Sequence, residues 1–168
     1  MVTRDDILDV LKTIDDPEMP ITIVELGIVE DIRLTRAGES GEDGDAAVEI
    51  DILPTFVGCP ALDVLERDIR DKVGALSGVA HVDVRFVFDP PWTVDRISQR
   101  GRESLREFGV TVPHKAHPQP LVQLHLPVAC PYCNATETRV TSAFGPTRCR
   151  MIYYCDACKN TFEHMKRV

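Results

Sequence analysis

Ile7, Val10, Leu11 and Ile14 recur at helical spacing behind Thr3, a residue suited to the N-cap, with Asp6 near the positive end of the helix. The run Asp15-Asp16-Pro17-Glu18-Met19-Pro20 stops that helix. From 28 to 35 the pattern changes to a strand with Ile28, Ile32 and Leu34 on its buried side. After a polar, Gly-rich stretch (37–46), Val48, Ile50 and Ile52 alternate with Glu49 and Asp51, a half-buried strand that pairs with the first as a hairpin. Leu62, Leu65, Ile69, Val73 and Leu76 then mark a second helix, and Val82, Val84, Phe86 and Phe88 a third strand. Asp89-Pro90-Pro91-Trp92 ends it, and Thr93 is a candidate cap for a last helix running to Phe108-Gly109. The order is α-β-β-α-β-α. A strand–helix–strand crossover is right-handed, so the second and third strands lie parallel. The expected fold is α+β, a small mixed sheet with helices.

The remainder has a different character. Residues 113–127 hold Pro113, Pro118, Pro120 and Pro127, a density that resists helix and central strand and reads as a stiff linker. The expected organisation is a first domain over 1–112, the linker over 113–127, and a cysteine-rich module over 128–168. In that module 148–154 alternates like a strand, and 160–168 offers another. Charge divides at the same place. The net of −8 over 168 residues is −12 for 1–112 and +4 for 113–168. So acidic a first domain argues against wrapping nucleic acid or lying on an anionic membrane, although Arg148, Arg150, Tyr153 and Tyr154 would suit a nucleic-acid-reading ribbon. No run approaches the ~18 apolar residues of a membrane span, and the first residues carry acids where a secretory leader needs an apolar run. A cytoplasmic protein with reduced thiols is the expectation.

The six cysteines then divide. Cys130-Pro-Tyr-Cys133 and Cys155-Asp-Ala-Cys158 are two C-x-x-C pairs. Facing knuckles of this kind build the closed four-thiolate shell that zinc prefers, so the module reads as a zinc ribbon. Rubredoxin-like iron accepts the same geometry. His164 has no vacancy to fill beside four thiolates, and Cys149 reads as a strand-face residue. His114, His117 and His125 are too scattered for a site, and His81 reads as a surface or locally bonded residue. Cys59 stands apart. Pro60 suits the first helical position, which makes Cys59 the expected N-cap of the second helix. Backbone N–H groups and the helix dipole there favour thiolate, and Thr55 could donate its hydroxyl to the sulfur. A buried structural cysteine is the alternative.

Asp16-Pro17-Glu18, then Ile23-Val24-Glu25-Leu26-Gly27-Ile28-Val29, then Thr55 and Cys59-Pro60 resemble, in the same order, the small α/β domain of SufT-like proteins and of the cytosolic iron–sulfur targeting complex. That resemblance spans residues 4–89 and implies a role in iron–sulfur cluster assembly or delivery. It implies that Cys59 is the reactive or cluster-contacting residue, holding a transient iron–sulfur cluster or iron, with Asp16, Glu18 and Thr55 lining the same site. Adding Asp89-Pro90-Pro91-Trp92 and the tail Cys130-Pro-Tyr-Cys133, Phe144-Gly-Pro-Thr-Arg-Cys149, Cys155-x-x-Cys158 and Phe162, the whole chain is similar to the D-protein family of the bacterial phenylacetyl-CoA epoxidase system (phenylacetate-CoA oxygenase). Pro146 replaces a small polar residue usual there, and Cys149 matches a cysteine of that tail. In that system a diiron oxygenase forms the ring epoxide and a separate reductase supplies electrons, and the D protein is an accessory in phenylacetate catabolism.

The residues agree with an accessory role. There is no Glu-x-x-His pair of the kind that builds diiron sites, no Gly-rich dinucleotide fingerprint, and no ferredoxin cysteine set. The expected partners are the subunits or the reductase of the epoxidase system, with a homodimer as a further expectation. Three other readings stand beside maturation: a structural subunit of the oxygenase complex, an electron-transfer protein with iron in the ribbon, and a thiol enzyme using Cys59.

Overall fold

The alternation of Val48, Ile50 and Ile52 with Glu49 and Asp51 places one apolar and one charged face on the first sheet. In the computed structural model, which describes residues 1–36, 45–113 and 128–167, all three apolar residues are fully buried. The order is α1 (Arg4–Leu11), β1 (Val29–Arg36), β2 (Ala46–Ile52), α2 (Ala61–Gly74) and β3 (Val79–Phe86). Then come α3 (Gln99–Glu107), β4 (Val110–Thr111), β5 (Thr138–Ser142), β6 (Arg150–Cys155) and β7 (Thr161–Met165). The strand order of the first sheet is β1-β2-β3, with β1 antiparallel to β2 and β2 parallel to β3, as the hairpin and crossover require. Thr3 caps α1 in a reciprocal box with Asp6. Ile7, Leu11 and Ile14 from the α1 segment join Leu65, Ile69 and Val73 of α2 in the core.

The other face of this sheet is an ion lattice. Arg33 bonds Asp31 (2.7 Å), Glu49 (3.1 Å) and Asp51 (2.8 Å), and Arg85 reaches Asp51 from the far side (3.0 Å). These partners, Arg33 foremost, hold the nearly buried Asp51 carboxyl down at about 2. Two details differ from expectation. Phe88 lies past the end of β3 and is 57% exposed rather than on the buried side. Trp92 ends the unit by burial, its Nε1–H donating to the Leu26 carbonyl (3.0 Å).

The chain divides into two compact units, Met1–Trp92 and Thr93–Val168. Residues 93–112, expected with the first sheet, therefore group with the cysteine module. The cause is β4, which pairs in parallel with β7 and completes a sheet of order β4-β7-β6-β5. The last helix also begins later than Thr93 suggests. Thr93 precedes a single 3-10 turn (Val94–Arg96), and Ser98 caps α3, its side chain accepting from Gly101 N–H (3.0 Å). Arg102 of α3 donates to the carbonyls of Val94 (2.5 Å) and Pro113 (2.8 Å), tying both ends of the segment together. The linker beyond Pro113 with its three histidines, and the Gly-rich stretch 37–44, lie outside the described residues. Among the described residues no helix is long and apolar enough to cross a membrane.

Candidate metal centre and thiol site

Each C-x-x-C pair folds as the same knuckle. Cys130 N–H donates to Ala135 C=O (2.9 Å) and Asn134 N–H to Cys130 C=O (2.9 Å). Likewise Cys155 N–H donates to Asn160 C=O (2.9 Å) and Lys159 N–H to Cys155 C=O (2.9 Å). Asn134 and Lys159 both take φ of 63°, which turns the chain back on itself after the second cysteine. The four sulfurs converge within 4.8 Å of one another. Cys130 and Cys158 sulfurs stand 3.7 Å apart, and those of Cys133 and Cys155 3.6 Å. A tetrahedron of ~2.3 Å metal–sulfur bonds has edges of about 3.8 Å, so the arrangement fits one tetrahedral metal ion and no disulfide.

Hydrogen bonds onto sulfur prepare the set. The Asn160 side-chain amide donates to Cys158 Sγ (3.5 Å), and with the Asn160 backbone it draws that thiol down to about 6. The Ala135 backbone acts in the same sense on Cys133, but desolvation and the neighbouring thiols outweigh it and push Cys133 up to about 12. Cys133 and Cys158 are pushed in opposite directions at short range, and a cation among the four sulfurs resolves that conflict. Cys130 and Cys155 also sit in the small apolar cluster of this unit, with Tyr153 and Phe162.

His164 is no ligand. Its Nδ1 lies 2.8 Å from Thr111 Oγ1 and its ring stands edge-on to Tyr153. Burial, followed by the charge of Arg167, lowers it to about 4, so it is neutral near pH 7. Cys149 is buried in the turn before β6 rather than on a strand face, with Thr147 Oγ1 3.1 Å from its sulfur. Arg150 and Tyr153, which as exposed side chains would have suited nucleic acid, are 4% exposed each, and Arg150 pairs with Glu163 at 2.7 Å.

Cys59 is half-buried in the loop between β2 and α2. The cap position of α2 falls on Pro60 rather than Cys59 and no side chain caps it; Pro60, its ring fixing φ, already has helical backbone angles (φ −67°, ψ −16°), so the helical turn starts early there. Cys59 stands one residue further out, its N–H donating to Phe56 C=O and its C=O accepting from Leu62 N–H, both at 3.3 Å. Thr55 is half-buried in the same loop. Asp16 closes an Asx turn by accepting from Glu18 N–H (2.9 Å), between backbone bonds that join Asp16 to Ile21 and Ile14 to Ile23. Lys72, in the last turn of α2, donates to Thr13 C=O (2.8 Å), so the chain enters the acidic turn from that end of α2, whereas Cys59 precedes the other end. Among the described residues Cys130, Cys133, Cys155 and Cys158 form the one convergent set of three or more such ligands, and Cys59, Asp16 and Glu18 are outside it.

Comparison with known proteins places these two units in a lineage. Residues 4–84 match the family described as "Iron-sulfur cluster assembly protein", and residues 114–166 match "PaaD zinc beta ribbon domain". An Escherichia coli K12 protein, named as the putative D component of 1,2-phenylacetyl-CoA epoxidase, is 37% identical over 161 residues, 93% of this chain and 88% of that protein. The chain belongs to the PaaD family. Its first unit has wider kinship. A "Fe-S protein maturation auxiliary factor" of Porphyromonas gingivalis is 33% identical over 64% of this chain and 91% of its own length. A solved structure of a conserved hypothetical protein from Thermotoga maritima superposes with a TM-score of 0.50 at 32% identity, covering 64% of this chain and 95% of that one.

In this PaaD-family chain the sequence pattern missed three contributors to the metal centre: Asn160, which bonds a ligand sulfur, and Asn134 and Lys159, which make the turns. The position after the second cysteine of each knuckle was the available signal, since asparagine tolerates the left-handed region.

Proposed function

We propose that the protein is an accessory maturation factor of a phenylacetyl-CoA epoxidase system, assisting iron–sulfur cluster or iron assembly in a partner. The observation that carries this reading is the fusion, in one chain of the PaaD family, of a unit matching iron–sulfur assembly proteins to a four-thiolate ribbon. In this reading Cys59 is a transient ligand for the transferred iron or cluster. Its setting supports that role: the thiol lies half-buried in the loop leaving the carboxyl end of β2, beside parallel β3. The crevice outside the carboxyl ends of parallel strands is where open α/β sheets take their ligands. Val57, 70% exposed in the same loop, gives a partner an apolar contact next to the thiol. In this reading Thr55 tunes the sulfur, and Asp16 and Glu18 shape the entrance of the site or bind iron.

The resident ion of the ribbon is zinc, held by Cys130, Cys133, Cys155 and Cys158. Four thiolates leave no open position, so this ion organises the fold and presents a docking surface and takes no part in transfer. The partners are the reductase or the oxygenase subunits of the epoxidase system, and the protein acts in the cytoplasm.

The test is to purify the reductase and the oxygenase from cells in which the only copy of this protein carries Cys59→Ser. The expected result is loss of most cluster or iron content in one of them, with the variant itself folded and present at normal level. Full metal content and full epoxidase activity would refute the role of Cys59.

A further inference from the structure

We propose that two copies of this chain join through the outer edges of their β3 strands in an antiparallel pair centred on Val84. β3 is the last strand of its sheet, and among the described residues nothing pairs with its outer side. A register shift at Ala80 interrupts the start of β3, and the regular run from His81 to Phe86 is the part of this edge that can act as a template for another strand. Beside it lies a shallow groove lined by Arg70, Gly74, Val79, Ala80, His81 and Val82.

The register follows from hydrogen-bond parity. Val87 N–H donates to Ile52 C=O (2.9 Å), and Ile52 pairs with Phe86. Odd-numbered residues of β3 therefore turn their backbone groups toward β2, and Val82, Val84 and Phe86 turn theirs outward. A two-fold antiparallel pair must match outward residues with outward residues, so the axis passes through one residue of the strand. Centred on Asp83, it would oppose Asp83 to itself and His81 to Arg85. Centred on Arg85, it would oppose two guanidinium groups. Centred on Val82, it would leave Phe86 without a strand partner. Centred on Val84, it opposes Val84 to itself, Val82 to Phe86, and Asp83 to Arg85 of the second copy, twice.

Two features of the single chain then find a use. Within the sheet Asp83 lies opposite Glu49, an acidic pair, while Arg85 keeps half of its side chain exposed after bonding Asp51. In the pair each acidic row ends on a guanidinium group of the second copy, extending the lattice of Arg33, Asp51 and Arg85 across the axis. Phe88, exposed at 57% just beyond the end of β3, is carried toward the start of the second copy's strand, beside its groove of Gly74, Ala80 and Val82.

The experiment is light-scattering mass and sedimentation of the full zinc-loaded chain across the micromolar range, with Asp83→Arg and Phe88→Ser. The wild type is expected at twice the 18.8 kDa chain mass. Asp83→Arg relieves the clash with Glu49 within a chain but opposes two cations across the axis. It should keep its thermal midpoint and dissociate at about tenfold higher concentration or more. Phe88→Ser should weaken the pair with no loss of fold. Hydrogen exchange should show the Val82, Val84 and Phe86 amides protected in the wild type and released in Asp83→Arg. A wild type that stays at the chain mass, whether or not it takes a strand from another protein, overturns the proposal. So does a dimer as tight in Asp83→Arg as in the wild type, or one whose three outward amides exchange freely.

Discussion

His164 shows how a residue that looks like a metal ligand becomes part of the scaffold. Four thiolates complete a tetrahedral shell, and the imidazole is committed to Thr111, 53 residues away in sequence. The count of thiolates made its exclusion legible from the sequence; Thr111 was not legible, because a parallel pair between strands so far apart in sequence leaves no local pattern. The burial of this ring has a cost that depends on pH. Its folded pKa of about 4 lies below the ordinary 6.5, so as pH falls the unfolded chain takes up the proton first. Stability is full above about 6.5 and is lost as pH falls through the window down to about 4, by roughly 2–3 kcal/mol. Acid also weakens metal binding at the four cysteines, so the quantity to measure is the difference between wild type and His164→Phe in denaturant melts across that window. The phenylalanine keeps the edge contact on Tyr153 and should flatten the slope. Equal slopes in the two proteins would remove His164 from the acid response.

At the scale of elements, α1, α2 and β1–β3 were legible because each buries one face against a single core, which imposes a clear period of 3.6 or 2 on at least five residues. β4 and β5 were not. β4 has two residues, and β5 is an outer strand whose burial alternates only between partial and open. The turn from α3 into β4 is held by Gly109, at φ of 89°, with the Tyr132 hydroxyl of the first knuckle lying where a Cβ would stand. Arg106 of α3 adds a bond to Asn134 of the same knuckle (3.1 Å). Gly109→Ala should therefore destabilise this unit by about 1–2 kcal/mol, chiefly through the left-handed backbone. The Tyr132 ring, 53% exposed, can swing aside, so adding Tyr132→Ala should restore little. Full rescue by that second change in a thermal melt would show that the collision, and not the backbone angle, sets the cost.

For the whole molecule, the charge asymmetry separates an acidic from a basic part at Val112, whereas the compact units divide at Trp92. Recut at Trp92, the net charge is −13 for 1–92 and +5 for 93–168, a sharper contrast than at Val112. Arg96, Arg100, Arg102 and Arg106 are basic residues of the second unit, and the apolar pattern of α3 alone could not assign it to either sheet. The proposed thiol site showed in the sequence only as single residues: a lone thiol and an acidic turn carry no shared spacing, whereas two C-x-x-C pairs specify their own geometry. The border also determines what the metal supports. Among the described residues the ribbon's apolar cluster buries Tyr153 and Phe162 with the two cysteines, and Val128, Ala135, Val140 and Met151 pack half-buried against it, a small core for four strands without the metal. β4 bonds β7, and α3 is tied to the first knuckle, so losing the ion should loosen 93–113 together with 128–167. The core of 1–92, with its own ion lattice and buried Trp92, should persist. Chelation under reducing conditions, followed by amide NMR, should erase the dispersed signals of 93–113 and 128–167 and leave those of 1–36 and 45–92, with one equivalent of colourless zinc released per chain. Signals of 99–111 that stay dispersed without the ion would assign α3 and β4 to the first body after all. A red, redox-active ion would replace zinc with iron and make the ribbon an electron carrier.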